Sequence, residues 1–373
     1  MDGVRDAGPA SRAPRRAGGW RDGDPVGNRL FLDLDGPITL ERGGVLPGVR
    51  VAYETWGSLA PDGGNAVLVE HALTGDSHVA GPAGPGHPTP GWWEGLVGPG
   101  APLDTDRLFV VCANVLGGCQ GTTGPSSTAP DGAPWGSRFP AVTVADQVAV
   151  EAALADALGV DRWACVVGGS MGGMRALEWA VALPLRVATL FFLASGAVAT
   201  ADQIGTQTTQ QTAIRSDPRW AGGDYDPADP PLAGLGIARR VAHLTYRSAF
   251  ELGERFGARV QDDGRFAVAS YLDHHAGKLG RRFDAGSYVL LTEAMNTWDV
   301  GRGRGGVGAA LARVTARSVI AGVDSDRLYP IALQQQVADG LGVPLRVIPS
   351  PYGHDGFLIE VGAVGSLVRQ LLG

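Results

Sequence analysis

A serine flanked by glycines is the clearest candidate for chemistry in this chain of 373 residues. Gly168, Ser170 and Gly172 form a Gly-x-Ser-x-Gly pattern, preceded by an apolar run at 163–167 and followed by helix-forming residues. A strand, a tight turn and a helix in this order place the hydroxyl at a helix N-terminus, where free N–H groups favour negative charge. The pattern alone is weak in a chain with 57 glycines, so an inert glycine-rich turn is the alternative.

A serine hydroxyl becomes a nucleophile only when a base takes its proton and an acid orients that base. When the serine lies on such a turn, the acid and then the histidine follow later strands. His354 follows an apolar run at 345–349 and is the only histidine after position 275. Asp324 and Asp326 both follow the run 318–323, and their spacing does not decide between them. A surface-loop histidine is the alternative reading of His354.

The negative oxygen formed during acyl transfer needs two backbone N–H donors. The Met171 N–H follows the candidate nucleophile directly, and the second donor is expected in the loop after the third strand. That loop contains Ala72, Leu73 and Thr74, and we assign the second donor to Leu73.

The elements around these residues alternate between strand-like and helical runs, which predicts an α/β fold with a mostly parallel sheet. Strands are expected at 30–34, 50–56, 66–71, 108–116, 163–167, 187–194, 318–323 and 345–349. Core helices are expected at 144–158, 171–183, 331–341 and 357–372, and further helices at 201–214, 235–256, 266–279 and 287–297. We therefore divide the chain into a disordered tail (1–28), a core (29–198 and 317–373) and an inserted all-helical lid (199–316).

Composition excludes several classes of function. The net charge of −7 argues against nucleic-acid binding, and the apolar runs are too short to span a membrane. Three cysteines, at 112, 119 and 165, match no metal-binding spacing, so no metal site is expected. Such sparse thiols, together with the lack of an apolar signal segment, indicate a cytoplasmic protein.

Six blocks give the chain a specific resemblance. They are HALTGDSHVAG at 71–81, NVLGGCQGTTGP at 114–125, GGSMGGM at 168–174, RRVAHLTY at 239–246, DSDRLYP at 324–330 and YGHDG at 352–356. In these residues the chain resembles the homoserine O-acetyltransferase family of α/β-hydrolase-fold enzymes. The blocks run in order and extend the resemblance over nearly all of 30–373.

The resemblance implies an activity and completes the set of catalytic residues. It implies transfer of an acetyl group from acetyl-CoA to the hydroxyl of L-homoserine, a step toward methionine, by a ping-pong mechanism. Acetyl-CoA would be a co-substrate, and no cofactor is implied. The resemblance selects Asp326 as the acid beside His354, with Ser170 as the nucleophile, and it implies a homodimer formed through the helical lid.

An amino-acid acceptor needs a cation for its carboxylate and an anion for its ammonium group. Arg239 and Tyr246 lie seven residues apart in an expected helix and so share one face. Arg239 can bind a carboxylate through two parallel hydrogen bonds, and Asp355 can bind the ammonium. The resemblance supports these three roles, while a solvated charged face made by Arg239 and Arg240 is the alternative.

Three other activities, and the role of one residue that differs from the family, are not decided by the resemblance. An esterase would use the same residues with water as the acceptor, and related transferases would use succinyl-CoA or accept serine. The resemblance implies glutamine in most relatives at the position where this chain has Arg175. We expect a structural role for Arg175, with altered lid contacts as the alternative.

Overall fold

The computed structural model describes residues 18–373. Its centre is an eight-stranded sheet whose strands we number in chain order; they lie in the sheet in the order β1-β2-β4-β3-β5-β6-β7-β8. The strands are β1 (Leu30–Leu34), β2 (Val49–Trp56), β3 (Ala66–Glu70), β4 (Phe109–Ala113), β5 (Cys165–Gly169), β6 (Thr189–Leu193), β7 (Arg317–Val323) and β8 (Leu345–Ile348). Strand β2 is antiparallel to both neighbours, and β3 to β8 are parallel. The predicted α/β-hydrolase fold with a mostly parallel sheet is confirmed.

Helices cover both faces of the sheet and fill the segment between β6 and β7. They are α1 (Val144–Ala157), α2 (Met171–Ala182), α3 (Ala201–Arg215), α4 (Leu232–Tyr246), α5 (Ala249–Phe256), α6 (Ala267–Gly280), α7 (Ala285–Asn296), α8 (Val307–Leu311), α9 (Ile331–Leu341), α10 (Gly356–Ile359) and α11 (Val361–Leu372). Helices α3 to α8 make up the segment between β6 and β7, where α4 packs against α3 and α6. In the part of the chain that the structure describes, no helix combines the length and apolarity needed to cross a bilayer.

The single helix expected at 235–256 is wrong, because the chain turns between α4 and α5. Arg247 has an extended backbone (φ −103°, ψ 146°), and the Ser248 hydroxyl accepts a hydrogen bond from the Glu251 N–H at 3.0 Å. A serine at this position satisfies a free N–H at the start of α5 and so begins a new helix. The expected final helix is likewise interrupted, at Glu360, between α10 and α11.

The disorder predicted for the tail is wrong for residues 18–28, which contact the rest of the protein. Residues 1–17 of the predicted tail lie outside the described residues. The Gly18 N–H donates to the Gly280 carbonyl, and the Trp20 N–H donates to the Cys119 carbonyl at 2.8 Å. The Asn28 N–H donates to His87 Nε2 at 3.0 Å. Composition suggested disorder, but these tertiary hydrogen bonds hold the segment against the core and α6.

Candidate active site

The turn between β5 and α2 holds Ser170 in a strained conformation. Ser170 has φ 59° and ψ −126°, in a region that side-chain-bearing residues rarely occupy. A Cβ at Gly168 would collide with the Gly172 carbonyl, and a Cβ at Gly172 would collide with the Glu70 carbonyl. The two glycines therefore allow β5, α2 and the end of β3 to approach closely, which presents the Ser170 hydroxyl at the N-terminus of α2.

Ser170, His354 and Asp326 form a hydrogen-bonded relay. His354 Nε2 lies 2.9 Å from Ser170 Oγ, and His354 Nδ1 lies 2.7 Å from Asp326 Oδ2. All three side chains are buried. An imidazole that donates through Nδ1 to a carboxylate keeps Nε2 free to accept the serine proton. The arrangement can therefore generate a nucleophilic alkoxide.

The two aspartates after β7 face different partners. Asp326 Oδ1 accepts hydrogen bonds from the N–H groups of Leu328 and Tyr329, both at 2.9 Å, which leaves Oδ2 directed at His354. Asp324 is exposed and accepts the Ser350 N–H at 2.9 Å. The geometry thus brings Asp326, and not Asp324, to the imidazole.

Two backbone N–H groups, one after the serine and one in the loop after β3, are the candidate donors to a negative oxygen. Met171 is the first residue of α2, and Leu73 lies in the loop after β3. Within residues 18–373, neither N–H donates to a protein acceptor. The close contact of Gly172 with the Glu70 carbonyl brings the start of α2 against the end of β3, the strand that leads into the loop of Leu73.

His71 fixes the orientation of the peptide that carries the Leu73 N–H. His71 Nε2 accepts the Val115 N–H at 3.1 Å, so Nδ1 carries the proton and donates to the Ala72 carbonyl at 2.8 Å. The Gly75 N–H donates to the same carbonyl. In a trans peptide the Ala72 carbonyl and the Leu73 N–H point in opposite directions, so these bonds direct the N–H away from them. Sequence reasoning missed His71, although it opens the block 71–81.

Arg239 and Tyr246 lie on one face of α4 above the relay, as their spacing predicted. The Arg239 guanidinium lies 5.5 Å from the centroid of the Tyr246 ring, and Nη1 is 3.3 Å from Thr74 Oγ1. The Tyr246 ring centroid is 5.8 Å from that of His354. Arg239 Nε is buried and has no partner in the described chain. A cation with unused donors therefore faces the loop that carries Leu73.

Asp355 follows the candidate base but has an ion-pair partner that sequence reasoning missed. Its Oδ2 lies 3.0 Å from Arg247 Nε. Burial raises the pKa of the Asp355 carboxyl, and Arg247 and His354 oppose that effect. Arg247 is the residue with extended backbone between α4 and α5. No sequence pattern indicated that the break between these helices would direct Arg247 toward Asp355.

Comparisons with known proteins identify the family of this chain. Residues 65–360 match the family model for the α/β hydrolase fold. The homoserine O-acetyltransferase of Thermobifida fusca is 64% identical over 365 residues, covering 95% of this chain and 96% of that protein. The homoserine O-acetyltransferase of Mycobacterium tuberculosis is 58% identical over 358 residues, covering 94% of each chain.

This chain belongs to the homoserine O-acetyltransferase family.

Solved structures place the family among closely similar folds. The homoserine O-acetyltransferase from Bacillus anthracis superposes with a TM-score of 0.85 at 25% identity, covering 92% of this chain and 98% of that one. Esterase E22 superposes with the same TM-score at 27% identity, covering 92% of this chain and 99% of that one. Overall shape therefore does not separate the transferases from esterases.

Arg175, one residue after the block at 168–174, lies in a buried ionic cluster behind the site. Its Nη1 is 2.6 Å from Glu151 Oε1 and 2.7 Å from Glu70 Oε2, and Nη2 donates to the His71 carbonyl. Trp179 Nε1 donates to the other Glu151 oxygen at 3.0 Å. These contacts are with the core and not with the lid helices. Arg175 therefore has a structural role. It holds the peptide bond between His71 and Ala72, next to the peptide bond between Ala72 and Leu73 that His71 orients.

Glu54, His78 and His87 are a group that the sequence did not suggest. Their candidate ligand atoms lie within 4.8 Å of one another. The two imidazoles stack in parallel, with centroids 3.9 Å apart, and His87 Nε2 accepts the Asn28 N–H. A nitrogen binds a metal in the plane of its own ring, so stacked rings do not direct two lone pairs at one ion. The cluster instead joins the segment 18–28 to the core.

Proposed function

We propose that this protein transfers an acetyl group from acetyl-CoA to the hydroxyl of L-homoserine through an acetylated Ser170. The relay of Ser170, His354 and Asp326 is the observation that carries the proposal, because it supplies a nucleophile, a base and an orienting carboxylate within hydrogen-bond distance. The relatives named homoserine O-acetyltransferase support the choice of donor and acceptor.

The first half-reaction acetylates the enzyme. Ser170 Oγ attacks the thioester carbon while its proton moves to His354 Nε2. The N–H groups of Leu73 and Met171 bind the negative oxygen of the tetrahedral intermediate, which is worth about 3–4 kcal/mol per donor. The carbon–sulfur bond then breaks, and the CoA sulfur leaves with the proton from His354.

The second half-reaction returns the enzyme to its starting state. His354 takes the proton of the homoserine hydroxyl, whose oxygen attacks the acetyl carbon. The bond to Ser170 Oγ breaks, and Ser170 recovers its proton from His354. Asp326 holds the Nδ1 proton and stabilises the imidazolium in both halves. The reaction is therefore a ping-pong exchange that uses only groups of this chain and needs no cofactor.

The acceptor is held by opposite charges on either side of the relay. Arg239 would bind the homoserine carboxylate, with Tyr246 supporting the guanidinium from below. Asp355 would bind the ammonium group, which would compete with Arg247 for the Asp355 carboxylate. This pairing of charges favours a zwitterionic amino alcohol over water or a simple alcohol.

Hydrolysis is the second candidate, because esterase E22 shares the fold at a TM-score of 0.85. The release of CoA from acetyl-CoA, measured with and without L-homoserine, separates the two activities. The transferase releases CoA continuously only when homoserine is present. Equal release without homoserine would favour an esterase.

Competition among donors and acceptors tests the identity of the substrates. The enzyme is given equal concentrations of acetyl-CoA and succinyl-CoA with both homoserine and serine, and the products are separated by mass. We expect O-acetylhomoserine to dominate. A predominance of a succinylated product or of O-acetylserine would replace the corresponding substrate in the proposal.

We also infer a homodimer formed through the lid. Six large apolar side chains between the start of α4 and the start of α6 are more than 40% exposed to solvent. They are Leu232, Ile237, Leu244, Phe250, Val260 and Phe266. Clustered exposed apolar side chains are typical of association surfaces.

We assign the protein to the cytoplasm, since its three cysteines are buried thiols that form no disulfide in the described structure.

A further inference from the structure

A cavity of about 740 Å³ lies beside the C-terminal part of α6. Its walls come from three segments that are distant in sequence (residues 18–25, the loop at 84–89, and residues 274–282) and from Gln120. Neither Ser170, Asp326 nor His354 lines it. The cavity is therefore separate from the relay, and the proposed mechanism does not use it.

The cavity walls carry an excess of positive charge. The basic side chains are Arg21, Lys278, Arg281 and Arg282, and the acidic one is Asp24, whose Oδ2 accepts the Arg21 N–H at 2.9 Å. Across residues 18–373, none of the three basic side chains from α6 and its C-terminal end forms an ion pair. Lys278 is also the only lysine in the chain. Like charges held together without counter-charges repel one another, and a bound anion relieves that repulsion.

The positive charge continues from the cavity toward the acceptor-binding residues. Burial lowers the pKa of Lys278 and of Arg282, and the positive charge of Arg239 lowers both further. Arg239 in turn contacts Thr74, next to Leu73. Asp76 acts on Arg282 in the opposite sense. Arg239 therefore acts electrostatically on two basic residues of the cavity wall and contacts the loop that carries Leu73.

We propose that this basic cavity binds the phosphorylated adenosine end of the CoA donor. The inference rests on the proposed function, since it assigns a subsite to the donor of that reaction. Lys278, Arg281 and Arg21 would contact the 3′-phosphate and the diphosphate, as charge-assisted hydrogen bonds favour. Trp20 lines the same cavity and offers an aromatic ring for the adenine. The pantetheine arm would then lead past Arg239 to Ser170.

Truncated donors test the assignment through the KM for each donor. The Lys278→Gln/Arg281→Gln variant should raise the KM for acetyl-CoA about tenfold, because charge-assisted contacts to phosphate are lost. The same variant should leave kcat, the KM for homoserine and the KM for S-acetylpantetheine unchanged, since that donor carries no nucleotide. Arg313→Gln, an exposed arginine outside the cavity, is the matched control and should change none of these constants. An unchanged KM for acetyl-CoA, or an equal rise for both donors, would overturn the proposal.

A binding measurement separates this inference from the proposed function. Adenosine 3′,5′-bisphosphate, titrated calorimetrically, should bind the wild-type protein and bind the double variant at least several-fold more weakly. It should also inhibit competitively against acetyl-CoA. Binding without such competition would show a separate nucleotide site and contradict the assignment. Binding that depends on Lys278 and Arg281, in a protein that transfers no acetyl group, would support the nucleotide site and reject the proposed reaction.

Discussion

At the scale of single residues, the site depends on side chains that fix the orientation of others. Asp326 is held by two backbone N–H groups and in turn holds His354. His71 orients the peptide that carries one candidate donor to the negative oxygen. Neither Asp326 nor His71 would form a bond to the substrate, yet each determines where a reacting group points.

Asp326→Asn should reduce kcat by roughly 10⁴-fold, because an amide in place of the carboxylate favours the wrong imidazole tautomer. Asp324→Asn is the matched control, two residues away on the same loop, and should have little effect. Steady-state acetyl transfer from acetyl-CoA to homoserine measures both variants. Comparable losses in the two variants would show that the loop as a whole, and not the Asp326 carboxylate, is required.

The His71 imidazole should make stability depend on pH. Burial lowers the pKa of His71 from 6.5 to about 3 in the folded state, so the unfolded chain binds a proton below pH 6.5 that the native state does not. The free energy of unfolding should therefore fall as pH decreases from 6.5 toward 3, by up to about 1.4 kcal/mol per pH unit from this residue.

The His71→Asn variant isolates this contribution, since asparagine can still donate to the Ala72 carbonyl but does not titrate. Urea unfolding of both proteins between pH 7 and pH 4 gives the comparison. The variant should be less stable at pH 7, and the difference should shrink as pH falls. A difference that is constant with pH would show that His71 is not held neutral in the fold.

The candidate nucleophile and base could be predicted from the sequence because their positions follow from simple topology, whereas topology left Asp324 and Asp326 open and only the resemblance selected Asp326. Ser170, Asp326 and His354 each follow the carboxyl end of a parallel strand, and these ends meet at one edge of the sheet. The pairs His71–Val115 and Arg247–Asp355 could not be predicted, since each depends on which loops meet in three dimensions. The periodicity of apolar residues along the chain does not indicate contacts between distant loops.

At the scale of elements, α1, α2 and β3 are joined behind the site by the cluster of Arg175, Glu70 and Glu151. All three side chains are buried, and burial raises the pKa of the Glu70 carboxyl well above its ordinary value. Arg175 also holds the His71 carbonyl, at the start of the loop that carries Leu73. The cluster therefore couples the packing of three elements to the shape of the candidate oxyanion site.

Arg175→Met should lower the free energy of unfolding by about 3–5 kcal/mol, because two buried carboxyl groups lose their cation. Adding Glu70→Gln and Glu151→Gln should recover part of the loss by removing the unpaired acids. Arg50→Met is the matched control: Arg50 also lies between two carboxylates, those of Asp22 and Asp33, but all three are exposed. Its loss should be less than about 1 kcal/mol. Equal losses in urea unfolding would contradict the structural role of Arg175.

The break between α4 and α5 shows a local signal that the helical periodicity hid. The run 235–256 is apolar at helical spacing throughout, which favoured one long helix. Ser248 followed three residues later by Glu251 is nevertheless a helix-start pattern, and the structure begins α5 there. The break matters for the site because it directs Arg247 toward Asp355.

At the scale of the whole molecule, the helical segment between β6 and β7 exposes apolar side chains that the proposed dimer would bury. Phe250 is 67% exposed and Ile237 is 51% exposed, on adjacent helices of the lid. Leu185 is 82% exposed but lies at the edge of the core, outside the lid. The sequence could suggest the helices but not which of their faces remain uncovered, since that depends on how α4 packs against α3 and α6.

Ile237→Asp/Phe250→Asp should convert the proposed dimer into monomers, because a charge on each partner would be buried at the interface. Leu185→Asp, the control, should leave the oligomeric state unchanged. Light scattering coupled to gel filtration gives the mass of each species. A wild-type protein that is monomeric, or a double variant that stays dimeric, would contradict a dimer formed through these residues.

Detection of the acetyl-enzyme tests directly whether Ser170 is the nucleophile. The protein is mixed with acetyl-CoA in the absence of homoserine, quenched in acid and digested, and its peptides are analysed by mass spectrometry. We predict one acetyl group on the peptide that contains Ser170, lost on addition of homoserine and absent from a folded Ser170→Ala variant that transfers nothing. Undiminished acetyl transfer by Ser170→Ala, or an acetyl group carried by a different residue, would show that Ser170 is not the nucleophile.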